Sequence, residues 1–407
     1  MHSFDIFDTL ITRKVAVPEG IFAIMQFELG KEEYIDIPIS IKNNFYRLRI
    51  EAERQARHFY QRNGIEDVTL EQIYDVLAVR GELSEGQCKQ LVCLECDIEY
   101  RECIPIERNI IQVKKLLSEG KKVILISDMY LPKEQIYKML EKVDSVLLAL
   151  PLYVSGDCKK RKRTGAIYKF AMEHSGFVAT ECIHTGDNEK MDVEAAEKIG
   201  FRSNLSWFPD LLPIEKKLLV QKPGSIWLNK VIGCSRLARL KLGREMTQKD
   251  AVLVGTSVGG ILLCSYMQWV IRTALARGIK RLYFLETDGY MSKRIADILI
   301  QKTELVLETY YFCGIDYVKR EAIFSDDKFA FVAMYEGYNL ERYLLDSSTG
   351  YYHIRFHIFL FSIDQLIVPD NFSYFVFYPG RIRKRDILKQ LCETLEGQTD
   401  YESGLEA

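Results

Sequence analysis

Five side chains in this sequence could do chemistry together, because they lie at or near the ends of short apolar runs. Asp5 comes after the first apolar residues of the chain, and Ser127 comes directly after the letters VILI. Asp187 and Asp192 follow another short apolar run, and Lys162 lies in a basic loop before that run. If these runs are parallel strands, the five side chains meet at the carboxyl edge of one sheet.

These residues supply the groups that phosphoryl transfer through an aspartyl-phosphate requires. A carboxylate such as Asp5 can be the nucleophile that attacks phosphorus. An acidic pair such as Asp187 and Asp192 can hold Mg²⁺, which prefers carboxylate, carbonyl and water ligands. A hydroxyl and an ammonium group, here Ser127 and Lys162, can bind the remaining phosphoryl oxygens as negative charge shifts onto them.

The elements that must position these residues alternate between strand and helix patterns. Residues 122–126 (KVILI) form a continuous apolar run, which is typical of a buried parallel strand. A helix is predicted before it over 107–118, and others follow after Pro132 and over 165–174. A short strand is predicted over 180–184. This alternation predicts an α/β fold with a parallel sheet and right-handed crossovers.

The rest of the chain adds a helical block and a second domain to this sheet. The pattern after Leu10 is helical over four successive stretches, which predicts a helical insertion over about 14–105 between the first two strands. The first domain is then 1–210, followed by a linker with one short helix over 211–248. A smaller α/β domain is predicted over 249–407.

The second domain is predicted from two apolar runs, 280–285 and 305–312, with a helical stretch between them. The first run ends in the letters ETDG, which places Asp288 and Gly289 at the end of a strand. Such a position could hold a ligand or only form a turn.

Composition excludes some classes of partner. The chain of 407 residues is 48% apolar and 28% charged, with a formal net charge of −2, so neither nucleic acid nor an anionic membrane is an expected partner. Residues 251–271 are uncharged but contain three glycines, and we expect a buried helix without membrane insertion. The ten cysteines are scattered, Cys93 and Cys96 lie in a helical run, and no signal peptide precedes Asp5. These features predict a cytoplasmic protein.

Four segments resemble the motifs of a known family in order and spacing. They are FDIFDTL at 4–10, VILISD at 123–128, KRTG at 162–165 and GDNEKMD at 186–192. Together they are similar to the four motifs of the haloacid dehalogenase (HAD) superfamily. The letters SDMYLP after the second strand, and YFLETDGY at 283–290, are similar to a subset of HAD-like proteins found with bacterial surface-polysaccharide enzymes.

The resemblance implies a Rossmannoid sheet with a helical cap, and it implies roles for the residues above. Asp5 would be the nucleophile and Ser127 a donor to the phosphoryl group. Lys162 would be the charge clamp, although its neighbours Lys159 and Lys160 could take that role.

The metal site that the resemblance implies contains Mg²⁺ as cofactor. The carboxylates of Asp5, Asp187 and Asp192 would hold the ion together with the backbone carbonyl of Phe7.

One position departs from the pattern of the family. Its phosphatases have a second aspartate two residues after the nucleophile as general acid and base, and Phe7 occupies that position here. Losing such a group typically costs about 10²- to 10⁴-fold in rate. Asp8 could serve only if the turn after Asp5 re-aims its side chain. Dehalogenating members also have an aromatic residue here, but they usually lack the acidic cluster that this sequence has at 186–192.

Three functions therefore remain open. The first is a Mg²⁺-dependent phosphohydrolase for a small phosphorylated metabolite, with a phosphosugar of surface-glycan synthesis as the expected class. The second is a catalytically weak HAD-like module that binds a phosphorylated ligand or a glycan-assembly partner. The third is halide-releasing hydrolysis by Asp5, which would be insensitive to EDTA.

Overall fold

The computed structural model describes residues 1–285 and 289–312 and three later strands, Phe329–Tyr335, Phe356–Ser362 and Phe372–Phe377. The chain divides into two compact units, Met1–Val258 and Gly259–Ala407. Each unit contains a five-stranded sheet. Asp288, at the end of the predicted strand 280–285, lies outside the described residues.

The sheet of the first unit is entirely parallel, with the strand order β5-β4-β1-β6-β7. Its strands are β1 His2–Phe4, β4 Val123–Ser127, β5 Leu152–Val154, β6 Ile183–Gly186 and β7 Arg202–Leu205. The most N-terminal strand lies at the centre, so its carboxyl end is flanked by those of β4 and β6. The predicted α/β fold with a parallel sheet is confirmed.

The helical block follows the first strand, as predicted. Two short antiparallel strands, β2 Ile11–Arg13 and β3 Cys103–Pro105, lie at its base. Between them are four helices, α1 Gly20–Glu28, α2 Ile39–Arg62, α3 Leu70–Gly81 and α4 Glu85–Glu102. Thr69 and Ser84 each begin a helix with a capping box, which satisfies the first backbone N–H groups of α3 and α4. We call this block the cap.

The helices between the strands follow the predicted alternation closely. They are α5 Glu107–Ser118, α6 Lys133–Val143, α7 Ser155–Cys158, α8 Ala166–Ser175 and α9 Ala195–Ile199. The strand predicted over 180–184 begins later, at Ile183, because Ala179–Glu181 forms a 3₁₀ turn.

The segment predicted as a linker has more regular structure than expected. Instead of one short helix, residues 211–248 contain α10 Pro213–Gln221, α11 Ile226–Leu242 and α12 Arg244–Thr247. Arg239 and Glu215 form a bidentate ion pair in which both side chains are buried. The Asn229 carbonyl accepts a hydrogen bond of 2.9 Å from the Ala16 backbone N–H. The ion pair joins α10 to α11, and the hydrogen bond attaches the segment to the rest of the first unit, which explains why its pattern of basic residues and prolines is misleading.

A long apolar stretch continues from the first unit into the second. Helix α13 Asp250–Val254, a π-helical turn and α14 Gly260–Ala276 form it, and by length and composition alone it could cross a membrane. No other described helix has this property. Met267 and Val270 of α14 pack with Leu282 and Phe284 in the core of the second unit.

The sheet of the second unit has the strand order β12-β11-β10-β8-β9. Its elements are β8 Arg281–Leu285, α15 Gly289–Thr303, β9 Glu308–Phe312, β10 Phe329–Tyr335, β11 Phe356–Ser362 and β12 Phe372–Phe377. Strands β8 to β11 are parallel, and β12 is antiparallel to β11.

Candidate active site

Asp5 lies directly after the central strand, and its side chain is buried. Its backbone N–H donates to the Thr185 carbonyl on β6 at 2.9 Å, which extends the parallel ladder to the end of β1. The Lys162 ammonium group donates to its carboxylate. The structure thus brings together two of the predicted site residues, a buried carboxylate at the carboxyl end of the central strand and a buried lysine.

Lys162 is held by a chain of buried polar groups. Its Nζ donates to Asp192 Oδ1 at 2.7 Å, and His184 Nε2 lies 3.2 Å from the same oxygen. His184 Nδ1 in turn lies 2.8 Å from the Ser3 hydroxyl. Burial lowers the pKa of His184, so the neutral ring can donate from Nε2 to Asp192 and accept from Ser3.

Asp128 fixes the backbone of the same lysine. Its carboxylate accepts the Lys162 backbone N–H at 2.9 and 3.2 Å. The two neighbouring lysines have other contacts. Lys160 Nζ lies 5.8 Å from the centre of the Phe170 ring, and Lys159 Nζ lies 3.5 Å from an oxygen of Gln72 in the cap. Of the three lysines, the structure therefore brings Lys162 to Asp5.

The electrostatics of the cluster show an excess of negative charge. Burial raises the pKa of Asp5 to about 7, with Asp192 adding to the rise and Lys162 opposing it. Burial and the neighbouring carboxylates raise the pKa of Asp187 to about 8. Burial also disfavours ionised Asp192, but Lys162 and His184 outweigh it and hold that pKa below its usual value.

The three carboxylates fit a divalent cation. Asp5, Asp187 and Asp192 each offer one oxygen, and these atoms lie within 4.8 Å of one another. Hard oxygen ligands at this spacing suit Mg²⁺. Asp192 already accepts from Lys162, His184 and the Asn188 backbone N–H, so Asp5 and Asp187 are the more open ligands.

The raised pKa values predict how metal binding depends on pH. A carboxyl group whose pKa is higher in the folded than in the unfolded protein stabilises the fold at low pH. That stabilisation is lost as the pH rises towards the pKa of the folded state, where the group gives up its proton. For Asp5 and Asp187 this occurs near pH 7 and 8, and a divalent cation compensates for the lost protons. We expect Mg²⁺ to raise the melting temperature more at pH 8 than at pH 6, measured by differential scanning fluorimetry. An equal rise at both pH values, or the same rise in Asp187→Asn, would contradict this.

The structure gives Phe7 and Asp8 distinct surroundings. The Arg13 guanidinium lies 4.3 Å from the centre of the Phe7 ring, and Glu99 of the cap holds Arg13 with two hydrogen bonds of 2.7 and 2.9 Å. Asp8 has a left-handed backbone with φ of 58°, and its carboxylate accepts a 2.6 Å hydrogen bond from Thr12. The left-handed turn at Asp8 interrupts the alternation of side-chain directions that an extended strand would have. This is the condition under which Asp8 could act as the general acid and base.

Ser127 ends β4 and is buried. Phe4 of β1 is in register with Leu125 of β4, so Ser127 lies about one residue beyond the level of Asp5 on the neighbouring strand. Adjacent strands lie about 4.8 Å apart, which keeps this hydroxyl at the same edge of the sheet as Asp5.

The cap contacts the loops that carry the site. The Ser155 hydroxyl donates a 2.5 Å hydrogen bond to Asp67. The same Ser155 oxygen accepts a hydrogen bond of 2.8 Å from the Met129 backbone N–H. Glu66 accepts from the Arg161 backbone N–H and the Thr164 hydroxyl at 2.8 and 2.7 Å. The segment between α2 and α3 thus lies against the loops that follow β4 and β5.

Several residues of this site could not be recognised from sequence. His184 contacts Asp192, Asp128 holds the backbone of Lys162, and Ser3 acts one step further away through His184. The contacts of His184 with Ser3 and of Asp128 with Lys162 span 181 and 34 residues. The sequence signals were their position on or next to the strands that carry the site and, for Asp128, its place at the end of the VILISD segment.

Comparisons with known proteins give structural similarity alone. No protein-family model matches the chain. No curated protein sequence matches it. Among solved structures, it is similar to a HAD phosphatase from Thermococcus onnurineus, with 17% identity, coverage of 50% of this chain and 83% of that one, and a TM-score of 0.35.

Two other solved structures show the same level of similarity. A 2-haloacid dehalogenase from Pseudomonas syringae is 16% identical and covers 52% of this chain and 90% of its own, with a TM-score of 0.36. A HAD-hydrolase from Bacillus subtilis bound to magnesium is 15% identical, and the match covers 50% of this chain and 86% of that one, with a TM-score of 0.33. At these scores the similarity does not by itself assign the chain to a family.

Proposed function

We propose that the chain is a Mg²⁺-dependent HAD-like phosphohydrolase that forms an aspartyl-phosphate on Asp5. The observation that carries this proposal is one cluster, in which buried Lys162 bridges Asp5 and Asp192 and an oxygen of Asp187 lies within 4.8 Å of theirs. A nucleophilic carboxylate, a fixed cation and a set of oxygen ligands for a metal are the components that phosphoryl transfer needs.

In this mechanism the residues of the chain have separate tasks. Asp5 attacks phosphorus through one carboxylate oxygen, and the bond to the leaving oxygen breaks as the aspartyl-phosphate forms. Lys162 and Ser127 donate to phosphoryl oxygens as negative charge moves onto them. Asp5, Asp187 and the carbonyl of Phe7 would hold the metal, which would supply charge neutralisation for the phosphoryl group. Asp192, His184 and Asp128 keep Lys162 in position.

Asp8 is our candidate for the proton transfer that family phosphatases assign to the position of Phe7. Its left-handed backbone changes the direction of the chain after Phe7, and Thr12 holds its carboxylate. In that role Asp8 protonates the leaving oxygen and then takes a proton from the water that hydrolyses the aspartyl-phosphate.

A second candidate function is a binding module with little turnover. The observation that favours it is Phe7 itself, because the ring is fixed under Arg13 and no carboxylate occupies that position. Halide release by Asp5 is the third candidate. The acidic cluster of Asp5, Asp187 and Asp192 argues against it, since a dehalogenase does not need a metal site.

The substrate class, partners and compartment are part of the proposal and rest on the resemblance of the motifs. We propose a small phosphorylated metabolite, with a phosphosugar of surface-glycan synthesis as the first class to test. Glycan-assembly proteins are the proposed partners, the site of action is the cytoplasm, and neither nucleic acid nor membrane insertion is involved.

The test of this function is a panel of phosphorylated sugars and nucleotides assayed for phosphate release with Mg²⁺. We expect turnover of at least one member and its loss in Asp5→Asn or with EDTA, because an amide is a poor nucleophile and chelation removes the metal. Asp75→Asn, an exposed residue of the cap, is the matched control and should keep full activity. Asp8→Asn is expected to lower the rate by about 10²- to 10⁴-fold if Asp8 transfers the proton.

Other outcomes distinguish the alternatives. Turnover that persists in Asp5→Asn would exclude the aspartyl-phosphate mechanism. No turnover of any member, with ligands that still raise the melting temperature, would favour the binding module. Halide release from a 2-haloacid in the presence of EDTA would favour the dehalogenase.

A further inference from the structure

In the sheet of the second unit, the order in which successive strands are added reverses at β8. From β8 the chain proceeds to β9 on one side, and β10 then lies on the other side of β8. All three strands are parallel, so their carboxyl ends lie at the same edge. In open α/β sheets, ligands bind outside the carboxyl ends of the strands at such a switch point. Topology alone therefore points to the edge beside β8.

Helix α15 begins at this edge and packs closely on β8. A Cβ atom at Gly289 would lie 2.8 Å from the Cβ atom of Phe284, so only glycine allows this approach. The first backbone N–H groups of a helix have no partner within it, and they carry partial positive charge. In a helix of fifteen residues that begins beside a strand end, these groups are suited to an anion.

A buried hydroxyl without a partner lies in the first turn of α15. Ser292 is 1% exposed, and its Oγ has no hydrogen-bond partner in the part of the chain that the structure describes. Side chains of a helix tilt towards its N-terminus, and the neighbour three residues earlier is Gly289, which has no side chain. Helix geometry therefore directs the Cα–Cβ bond of Ser292 towards the beginning of the helix. A buried hydroxyl is rarely left unpaired, so this one indicates a partner that arrives with a ligand.

Aromatic and basic side chains flank the same turn. The rings of Tyr290 and Tyr311 stack with 6.5 Å between centres and 7° between planes, although both residues remain about half exposed. Arg294 donates to the Tyr290 hydroxyl at 3.3 Å. Among the described residues Arg294 has no carboxylate in ion-pair contact, whereas Lys293 is paired with Asp297 at 2.8 Å. One positive charge is thus available beside the helix N-terminus.

We propose that the carboxyl end of β8 and the first turn of α15 bind the phosphate group of a small molecule. The Ser292 hydroxyl and the first backbone N–H groups of α15 donate to phosphate oxygens, and Arg294 balances their charge. Tyr290 and Tyr311 offer a surface for the ring of the ligand. This site is separate from the cluster around Asp5 and does not depend on the function proposed for it.

The test is hydrogen exchange of the full-length protein, read by mass spectrometry at peptides of α15. The probes are inorganic phosphate, adenosine diphosphate and a hexose phosphate, each alone and with Mg²⁺ because the acidic residues Glu286 and Asp288 precede the helix in sequence. The first-turn amides exchange readily when they lack a partner, so bound phosphate should protect them. The tighter of the two organic probes identifies whether a nucleotide or a sugar carries the phosphate.

Ser292→Ala is the decisive variant. It removes an unpaired buried hydroxyl, so the melting temperature of the free protein should stay the same or rise. Binding of the probes should weaken about tenfold, as expected for loss of one hydrogen bond to a charged group. Thr303→Ala removes a hydroxyl from the other end of α15, where it bonds to the Leu299 carbonyl, and should leave binding unchanged.

Two results would overturn the proposal. One is wild-type protein in which none of the probes protects the first turn of α15 at millimolar concentration. The other is Ser292→Ala protein that binds the probes as tightly as wild type. Protection of peptides near Asp5 would report binding at the other site. Because those peptides differ from the peptides of α15, the two binding events can be distinguished.

Discussion

Lys162→Met is expected to slow phosphate release about 10²- to 10³-fold and to destabilise the protein at neutral pH. The ammonium group is buried and contacts both Asp5 and Asp192. Without the ammonium group, the negative charge that develops on the phosphoryl oxygens in the transition state has one fixed hydrogen-bond donor fewer. The loss of such a donor lowers kcat by about 10²- to 10³-fold. The buried carboxylates also lose their cation, and breaking such a buried pair costs about 3–5 kcal/mol of folding free energy.

The destabilisation should depend on pH in a defined direction. Burial already raises the pKa of Asp5 to about 7, and removal of Lys162 takes away the main opposing influence. The folded variant therefore holds protons that the unfolded chain releases, so its stability falls as the pH rises. The difference in melting temperature between Lys162→Met and wild type should be larger at pH 8 than at pH 5, although loss of the pair with Asp192 lowers stability at both pH values. Mg²⁺ should reduce the difference at pH 8.

Lys160→Met is the matched control for this prediction. It removes a lysine two residues away, whose Nζ lies 5.8 Å from the centre of the Phe170 ring and has no carboxylate in ion-pair contact among the described residues. We expect a change in folding free energy within about 0.5 kcal/mol and unchanged kcat. If Lys160→Met lost turnover while Lys162→Met retained it, the lysine would be wrongly assigned.

The sequence predicted the helices and strands that carry the site, because strand ends and helix periodicity are local signals. Residues 107–118 were predicted as a helix with the bounds that the structure has. The apolar run before Ser127 is the buried strand β4, and it pairs with β1 as a parallel neighbour. These features follow from the spacing of apolar residues, which the chain shows without any tertiary contact.

The partners of buried charges could not be predicted in the same way. Glu215 and Arg239 are 24 residues apart, and each looks like an ordinary surface charge until the other is known. The same holds for Arg13 and Glu99, whose contact spans 86 residues and fixes the ring of Phe7. Pairing of this kind depends on how elements pack, and periodicity carries no information on it.

The missed helix α11 has the same physical origin. Its sequence between Ile226 and Leu242 mixes apolar and basic residues, which suggested a loose segment. In the structure Arg239 is buried by its ion pair, so a residue counted as polar lies on the inner face of the helix. A pattern based on residue type assigns such a residue to the wrong face.

Arg49 of the cap is fully buried and is the centre of a charge network. Its guanidinium donates to both oxygens of Glu95 at 2.9 and 2.8 Å and to Glu53 at 3.1 Å. The Tyr74 hydroxyl donates to Glu95 at 2.7 Å, and the Tyr130 ring centre lies 4.9 Å from the Arg49 guanidinium carbon. Because Tyr130 belongs to the loop after β4, the network joins α2 and α4 to the edge of the sheet that carries the site.

Arg49→Met should therefore be among the most destabilising single substitutions in the cap. It leaves the fully buried Glu95 without its cation, and we expect a loss of about 3–5 kcal/mol. Native-state hydrogen exchange of the α2 and α4 amides measures this loss within the first unit alone. Arg80→Met, which breaks the partly exposed pair with Glu51, is the control and should leave the exchange of these amides close to that of wild type.

The double variant Arg49→Met/Glu95→Met separates the charge from the packing. If the cost of Arg49→Met comes from the unpaired carboxylate, removing Glu95 as well should recover much of the stability, because apolar side chains can replace a buried ion pair. A double variant that is less stable than Arg49→Met would instead show that Glu95 contributes mainly through its hydrogen bond from Tyr74. In either case, loosening this network should raise hydrogen exchange in the loop that contains Tyr130, since the ring of that residue packs on Arg49.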